Sequence, residues 1–402
     1  MDRLLKHKIH YPVFILLFCL FLFQPNNAYS KERLEITHGP YLVELGEHAV
    51  TVIWFTNKEC LSWVEYCGDD NLSTFPVWGG YPKSAFSNQN GLIDANSKRH
   101  TIRLTGLDPG TVYRYRIVSK QILKYDPYEV IYGDSVVDDI YEFETLNPEK
   151  KSFSFGIVTD LHERALVLDT LLQNTPTDSF DMMFYTGDML NWIGDEERIL
   201  KGFVDVSVTH FAKEKPFVLV RGNHEARGPN ARELFSYFPH SSGNYYHAFS
   251  QGNVRFIILD SGEDKPDSHP VYAGLVDFDN YRSEQAEWLR NEVQSEKFKN
   301  ATYKIVLFHI PPFTGRSGHA GTDLTKKWGR ILNDSDIDIV ISGHHHRLAK
   351  IEPVENKNKF PILILGKDMI LKTEVSEKNL SFSIRGKAGE LLDEFLIPSG
   401  TQ

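Results

Sequence analysis

Cysteine is scarce in this chain of 402 residues, which has three cysteines, at positions 19, 60 and 67. If residues 60–67 form one extended strand, the Cα atoms of Cys60 and Cys67 lie roughly 23 Å apart, which no disulfide spans. The two thiols can therefore pair only if the chain turns between them. The alternative is a pair of buried thiols.

Basic residues are outnumbered, with 44 Lys and Arg against 54 Asp and Glu and a net charge of −10. No clustered run of basic side chains occurs, although a surface that binds duplex nucleic acid needs one. The sequence therefore favours a small soluble substrate and no nucleic-acid partner. A local basic pocket remains compatible with this composition.

An apolar run at residues 13–23 follows a positively charged start and precedes the small residues Ala28 and Ser30. This pattern is typical of a secretory signal peptide, here residues 1–30, and predicts a secreted or periplasmic protein. The run is too short to span a bilayer as a helix, so no stable membrane insertion is expected after cleavage. An uncleaved anchor and lipidation at Cys19 are the alternatives.

The length suits two domains, and the hydrophobic fraction of 41% supports a sizeable core. Residues 31–147 alternate β-branched and aromatic runs with turn residues and show no helical period, which predicts an all-β sandwich. The expected strands are at 51–55, 62–66, 101–104, 112–118 and 141–145. Residues 107–115 (LDPGTVYRY) resemble the corner of a fibronectin type III domain, where a Tyr hydroxyl bonds back to the preceding turn. An ordinary turn is the alternative.

The pattern changes after a polar linker at 146–152. Strands then alternate with helices, which predicts an α/β domain with a layered sheet in residues 148–402. We expect strands at 155–158, 180–185, 217–220, 256–259, 305–308, 337–341 and within 347–397, and helices at 163–173, 195–212, 283–298 and 323–333.

Five short polar motifs follow apolar strands of this second domain, where open α/β sheets place their ligand sites. They are Asp160-Leu161-His162, Gly187-Asp188-Met189-Leu190-Asn191, Gly222-Asn223-His224-Glu225, His309 and Gly343-His344-His345-His346. Each motif alone is a weak signal. All five in order, each after an apolar strand, predict one shared site.

The residue types in these motifs suit metal ions. Carboxylates, imidazoles and an amide oxygen fit Zn, Mn or Fe, and seven such groups exceed the needs of one tetrahedral ion. A shared carboxylate would let them serve two ions, and Asp188 is expected to bridge because Gly187 allows close backbone approach. We expect one ion at Asp160, His162, Asp188 and His346, and the other at Asp188, Asn223, His309 and His344.

Two such ions, about 4 Å apart, stabilise an in-line displacement and generate hydroxide near neutral pH. His224 adjoins a ligand without being needed as one, and we expect it to protonate the leaving alkoxide.

Four neighbouring residues allow two interpretations each. His345 is either structural or within reach of a metal ion, and Asp260 either orients a catalytic histidine or caps a turn. Arg227 and Arg316 either hold phosphate or are solvated surface charges.

At these motifs, residues 153–350 resemble the calcineurin-like metallophosphoesterase family. With the β-domain ahead of them, the chain resembles the purple acid phosphatases. The resemblance implies a two-sheet β-sandwich flanked by helices, two metal ions and hydrolysis of small phosphorylated substrates.

The chain departs from the purple pattern at two positions. That pattern has Gly where this chain has His162, and its Tyr ligand corresponds to Asn191. The Tyr ligand gives purple enzymes their ferric charge-transfer colour. We therefore expect His162 to fill the vacant coordination position, which argues against a ferric site and an acid pH optimum.

The main interpretation is a secreted phosphomonoesterase. A phosphodiesterase on the same metal site is the nearest alternative. A secreted binding or adhesion protein with an idle metal domain is an alternative of a different class, and the presence of all seven ligands and His224 argues against it.

Overall fold

The structure, a computed structural model, describes residues 33–68, 83–175 and 179–400. The predicted signal peptide, residues 1–30, lies outside the described residues. From Leu34 onward the described chain belongs to one compact unit. Within this described part, no helix is long and apolar enough to cross a membrane.

Between residues 36 and 144 the described chain contains strands and no helix. The strands are β1 (Ile36–Val43), β2 (Ala49–Gly68), β3 (Lys83–Ala85), β4 (Asn88–Gln89), β5 (Leu92–Ile93), β6 (Ser97–Thr105), β7 (Val112–Asp126), β8 (Glu129–Val137) and β9 (Tyr141–Glu144). Seven of them form one sheet with the path β1-β2-β7-β8, to which β3, β6 and β9 add, while β4 and β5 pair separately. Trp54, Tyr115 and Phe143 are among the side chains that meet in its buried core.

Strand β2 corrects the prediction of two separate strands at 51–55 and 62–66. It runs unbroken for 20 residues because it changes neighbours instead of turning. Its first half pairs with β1 and β6, and its second half pairs with β7 and β3. Cys60 and Cys67 are therefore held apart on one extended strand, and these buried thiols form no disulfide with each other.

The turn before β7 makes the contact expected of a tyrosine corner. The backbone N–H of Asp108 donates to the hydroxyl of Tyr113 over 2.9 Å, and the Tyr113 ring is buried. This hydrogen bond fixes the turn against the strand that follows it.

The remainder of the described chain alternates strands and helices. The strands are β10 (Phe153–Val158), β11 (Met182–Tyr185), β12 (Phe217–Leu219), β13 (His247–Gln251), β14 (Val254–Ile258), β15 (Tyr303–Leu307), β16 (Ile339–Ser342), β17 (Ala349–Ile351), β18 (Ile362–Ile364), β19 (Met369–Val375), β20 (Asn379–Gly386) and β21 (Leu391–Pro398). The α-helices are α1 (Ala165–Gln173), α2 (Glu196–Ile199), α3 (Asp205–His210), α4 (Phe278–Glu292), α5 (Glu296–Asn300), α6 (Gly318–Lys327) and α7 (Gly329–Asn333).

Three predicted helices are subdivided. The helix at 195–212 consists of α2, a π-helical segment Leu200–Val204 and α3 in succession. The helix at 283–298 is two helices, because the Ser295 hydroxyl accepts from the N–H of Phe298 over 3.1 Å and starts α5 afresh. The helix at 323–333 divides into α6 and α7.

Two six-stranded sheets form the framework of this part, with strand orders β12-β11-β10-β19-β20-β21 and β13-β14-β15-β16-β18-β17. Their facing sides share one apolar core that includes Phe155, Phe184 and Phe256. A second core lies between the first sheet and helices α1 to α3, and a third lies between the second sheet and α4, α6 and α7. The fold is therefore mixed α/β with several sheets. Strands β10 to β12 run parallel, as do β14 to β16 and β18, so their carboxyl ends share an edge.

Strand β1 packs directly on the α/β part. Tyr41 is fully buried in the core formed with α1 to α3, and its hydroxyl donates to the carbonyl of Tyr237 over 3.0 Å. The backbone N–H of Leu42 donates to the carbonyl of Ala212 over 2.9 Å. These contacts join the N-terminal strands to the layers that carry the motifs.

Candidate metal centre

The polar motifs converge at the carboxyl ends of the parallel strands. Asp160 and His162 follow β10, Asp188 follows β11, and Asn223 follows β12 on one sheet. His309 follows β15, and His344 and His346 follow β16 on the other sheet. Parallel strands therefore bring residues that are far apart in sequence to one edge.

A first group contains ligand atoms of Asp160, His162, Asp188 and His346, all within 4.8 Å of one another. The Nε2 atoms of His162 and His346 are 3.1 Å apart, and His346 Nε2 lies 3.2 Å from Asp160 Oδ1. His162 Nε2 is 4.0 Å from both Asp160 Oδ1 and Asp188 Oδ2. These separations leave space for one ion between the four side chains.

A second group consists of Asp188, His309 and His344, again within 4.8 Å of one another. His309 Nδ1 donates to the carbonyl of Thr186 over 2.8 Å, so its Nε2 faces Asp188 Oδ2 at 3.0 Å. Asp188 belongs to both groups. The arrangement is that of two adjoining sites with one common carboxylate.

Three buried atoms at this edge have no hydrogen-bond partner outside the two groups. Asn223 Oδ1 has no hydrogen-bond partner, while Asp160 Oδ1 and His309 Nε2 face only other candidate ligands, His346 at 3.2 Å and Asp188 at 3.0 Å. Leaving a buried polar atom unpaired costs about 1–3 kcal/mol. All three atoms are of kinds that bind Zn, Mn or Fe. The residues present therefore fit a pair of metal ions, with Asn223 as a neutral donor beside the second group.

The backbone at the site is held in a strained conformation. The φ angles are 54° at Asp160, 51° at His162, 55° at Asp188, 70° at His344 and 57° at His346. Each left-handed non-glycine residue costs of order 1–3 kcal/mol and tends to mark a functional site. The surrounding packing must therefore hold these loops in place.

Glu225 holds two of these loops together and has no role in the sequence prediction. Its buried carboxylate accepts backbone N–H groups from Asp188 (2.8 Å), Leu190 (3.0 Å) and Gly222 (2.9 Å). Burial and the nearby Asp188 charge raise the pKa of Glu225 to about 7. Nothing local marks this role, because the N–H donors come from a loop 35 to 37 residues earlier as well as from its own motif.

Two ligand carboxylates are also fixed by backbone donors. Asp160 Oδ2 accepts from the N–H of His344 over 3.0 Å, and Asp188 Oδ1 accepts from the N–H of His224 over 3.0 Å. Each aspartate thus has one oxygen engaged by the protein and the other directed at the site.

Charge within the second group is balanced internally. Burial opposes ionisation of Asp188, but the charge of His309 holds the pKa of Asp188 well below its usual value. Burial likewise opposes protonation of His309, but Asp188 raises the pKa of His309 to about 10, so this imidazole must release a proton when it binds a metal ion. Burial lowers the pKa of His344 to about 4, so this imidazole is neutral at pH 7, as a metal ligand requires.

Gly222 lets the loops after β11 and β12 approach each other. A Cβ at this position would lie 2.4 Å from both the backbone nitrogen and Oδ1 of Asp188. We therefore expect Gly222→Ala to displace Asp188, to weaken metal binding and to lower stability by about 1–3 kcal/mol, as overpacking does. Metal content and thermal unfolding of the purified variant test this.

Gly46→Ala is the matched control, because a Cβ there meets no atom closer than 3.7 Å. If Gly222→Ala held its full metal complement as Gly46→Ala does, the close approach would not matter for the site.

His224 lies beside both groups without belonging to either. Its Nδ1 donates to the carbonyl of Asn191 over 2.7 Å, and its ring centroid is 4.8 Å from that of His162. Its Nε2 is 3.8 Å from Asp188 Oδ2, and the side chain is 26% exposed. The imidazole is therefore fixed at the mouth of the site, where a substrate has access to it.

Two residues with open interpretations lie outside the groups. His345 Nε2 pairs with the hydroxyl of Ser317 at 3.0 Å. Asp260 Oδ2 binds Arg221 at 2.6 Å, and Asp260 Oδ1 accepts from the N–H of Gly262 over 2.9 Å. His345 is therefore structural, and Asp260 orients no histidine.

Within the described part of the chain, neither of the two positions considered for a tyrosine ligand supplies one. Asn191 stands where the purple pattern has Tyr, and its side-chain amide donates to the carbonyl of His162 over 3.2 Å. Tyr185 is fully buried, and its hydroxyl pairs with that of Ser207 at 2.5 Å. Tyr185 and Phe184 lie in different cores, on opposite faces of the sheet, as the alternation of the strand predicts.

We expect the aerobically purified, iron-loaded protein to show no intense visible band, because no tyrosinate is available to ferric iron. An absorption spectrum tests this. An intense band that disappears in Tyr185→Phe would instead identify Tyr185 as a ligand and restore the purple type of site.

The fold and the site define the class of domain. Residues 153–348 match the calcineurin-like phosphoesterase family. This stretch contains the six predicted ligands of the two groups, which lie in the loops after β10, β11, β15 and β16, and also Asn223, which lies after β12. The chain thus contains a calcineurin-like metallophosphoesterase domain.

Similar proteins and structures include purple acid phosphatases. The chain is 25% identical to purple acid phosphatase 22 of Arabidopsis thaliana, over 66% of this chain and 56% of that protein. It is 26% identical to purple acid phosphatase 18 of the same plant, over 79% of this chain and 66% of that protein. The chain therefore spans less than two thirds of the length of either relative.

The solved structure of purple acid phosphatase PPD1 from yellow lupin (Lupinus luteus) seeds shares the fold. It aligns with a TM-score of 0.66 at 14% identity, over 89% of this chain and 74% of that chain. Calcineurin-like purple acid phosphatases use a dinuclear metal centre, and the two groups that share Asp188 are the candidate for it in this chain.

Proposed function

We propose that this protein is a metal-dependent phosphatase that hydrolyses phosphate monoesters. The observation that carries the proposal is the pair of ligand groups with Asp188 in common. One site of this kind would bind an ion, whereas two adjoining sites suit the displacement at phosphorus that two-metal enzymes catalyse.

We assign Asp160, His162, Asp188 and His346 to one ion, and Asp188, Asn223, His309 and His344 to the other. The unpaired Asn223 Oδ1 supports this assignment, as do Asp160 Oδ1 and His309 Nε2, which face only other members of the two groups. When bound, the two ions supply Lewis-acid stabilisation of the phosphoryl group and a nucleophile at neutral pH.

We assign His224 as the general acid. Its Nδ1–H bond to the carbonyl of Asn191 (2.7 Å) fixes the ring, so Nε2 is the nitrogen that would take up a proton and pass it to the leaving oxygen. Its partial exposure admits the alcohol portion of a substrate. The His224 imidazole would therefore assist cleavage of the bond to the leaving oxygen, and it would not bind the metal ions.

The remainder of the proposal concerns location and the N-terminal part. We propose a secreted protein with residues 1–30 as its signal peptide, a fibronectin type III-like sandwich in 31–147 and the catalytic domain in 148–402. The hydrogen bond between Asp108 and Tyr113 supports the sandwich, since it is the contact of a tyrosine corner.

Turnover of p-nitrophenyl phosphate and of bis(p-nitrophenyl) phosphate tests the function. Metal-free protein is reconstituted separately with Zn, Mn and Fe, and its kcat/KM is measured for both esters. We expect the monoester to be preferred.

Preference for the diester would identify a phosphodiesterase on the same site. Turnover of neither ester by protein that holds two ions per chain would favour a binding role for the domain. A chelator-treated sample, which should be inactive on both esters, is the control for metal dependence.

A further inference from the structure

The guanidinium of Arg227 has two nitrogens fixed by one carboxylate and a third directed at the site. Nε and Nη2 donate to the two oxygens of Glu263, each over 2.8 Å. Nη1 donates to His224 Nε2 over 2.9 Å. The side chain therefore presents a single donor to the proposed general acid.

Glu263 is a firm anchor for this arginine. Its side chain is 1% exposed, and Oε2 also accepts from the hydroxyl of Tyr272 over 3.1 Å. Its backbone carbonyl accepts from the buried guanidinium of Arg282. Burial opposes the charge on Arg227, but the hydrogen bond with Glu263 raises the pKa of Arg227 above its usual value, so the cation persists.

The third nitrogen lies at the rim of the metal centre. His224 Nε2 is 3.8 Å from Asp188 Oδ2, the carboxylate common to both ligand groups, and Arg227 Nη1 is 2.9 Å from the same His224 nitrogen. A phosphoryl group held at Asp188 would thus lie within reach of Arg227. Planar guanidinium groups are preferred partners of phosphate oxygens.

We propose that Nη1 of Arg227 binds a non-bridging oxygen of the substrate phosphoryl group. This inference rests on the proposed phosphatase function. On substrate binding, the phosphoryl oxygen replaces His224 Nε2 as the acceptor of Nη1. The exchange releases that imidazole nitrogen to take up a proton from solvent and pass it to the leaving oxygen, so one contact both holds the substrate and frees the acid for protonation.

The structure also distinguishes Arg227 from Arg316, for which the sequence allows either phosphate binding or a solvated surface charge. Arg316 lies on an exposed loop, where its backbone N–H donates to the hydroxyl of Thr314 over 3.2 Å. Among the described ion pairs none fixes the Arg316 guanidinium toward the ligands. Arg227, in contrast, is anchored by Glu263 with Nη1 directed at the site, where it donates to His224.

Arg227→Gln in the metal-loaded protein tests the proposal. We expect the dissociation constant of inorganic phosphate, measured by calorimetry, and the KM for p-nitrophenyl phosphate each to rise about 10- to 100-fold. This is the size expected for one charge-assisted hydrogen bond. Arg330→Gln, at a side chain that is 92% exposed on α7, is the matched control and should leave both values unchanged.

Arg227→Lys is the second variant, because the glutamine leaves buried Glu263 without its cation, which destabilises the fold. Lysine keeps the positive charge but lacks the planar set of guanidinium donors, so phosphate affinity should still fall. Unchanged phosphate affinity in both variants overturns the proposal. So does a loss of rate confined to esters with poor leaving groups while phosphate affinity is kept, because Arg227 would then only orient His224.

Calorimetry separates this inference from the proposed function. A wild-type protein that binds phosphate through Arg227 yet hydrolyses neither ester would contradict the phosphatase assignment and still support the contact. Hydrolysis of an ester by the wild-type enzyme, together with normal phosphate binding by Arg227→Gln, would support the phosphatase assignment and contradict the contact.

Discussion

Asp188→Asn is expected to lose nearly all activity and to release metal. The carboxylate lies in both ligand groups, and a neutral amide cannot hold two dications as well. Replacing residues that merely support a ligand already costs about 10–100-fold in metal affinity or activity, so we expect a loss of at least about 100-fold here. The measurements are metal content and kcat/KM of the purified variant.

Asp338→Asn is the matched control for this substitution. Asp338 is also buried, and its Oδ2 accepts from the N–H of Lys304 over 2.7 Å. It precedes β16, whereas His344 follows that strand. Asparagine keeps the acceptor oxygen, so this variant should keep its metal. Full activity of Asp188→Asn with two bound ions per chain would refute the bridging assignment.

His224→Ala is expected to lose rate while keeping its metal ions. General acid catalysis is typically worth about 10²–10⁴-fold. The metal should stay because the contact of His224 with Asp188 Oδ1 is made by the backbone N–H, which alanine retains. The loss should be smaller for p-nitrophenyl phosphate than for an alkyl phosphate, since nitrophenolate needs little protonation to leave.

His345→Ala provides the comparison, because His345 adjoins two ligands in sequence yet contacts Ser317 instead. It should keep both rate and metal. An equal loss across leaving groups in His224→Ala would point to a role in substrate binding and not in proton transfer.

The candidate site was largely predictable because each ligand follows its own apolar strand. Asp160 after β10 and His309 after β15 are local patterns, and parallel strands bring their carboxyl ends to one edge. The supporting contacts were not predictable in this way. Arg227 and Glu263 are 36 residues apart on different loops, and no feature of either neighbourhood pairs them.

The fold was predictable to a similar extent. The alternation of strands and helices indicated the layered α/β part, and the pattern in β11 correctly separated Phe184 from Tyr185. The unbroken course of β2 was missed because it depends on an exchange of neighbours, which involves strands distant in sequence. The polar residues 57–59 lie between the two predicted strands, and tertiary pairing carries β2 through them.

Because of the position of β10, assembly of the site depends on how much of the chain has been synthesised. β10, which leads to Asp160, lies between β11 and β19, and β19 pairs with it through residues 371–375. During translation that side of β10 has no partner until residues 371–375 have been synthesised. A polypeptide truncated before β19 would therefore contain every predicted ligand and still lack the strand that pairs with β10 beside Asp160.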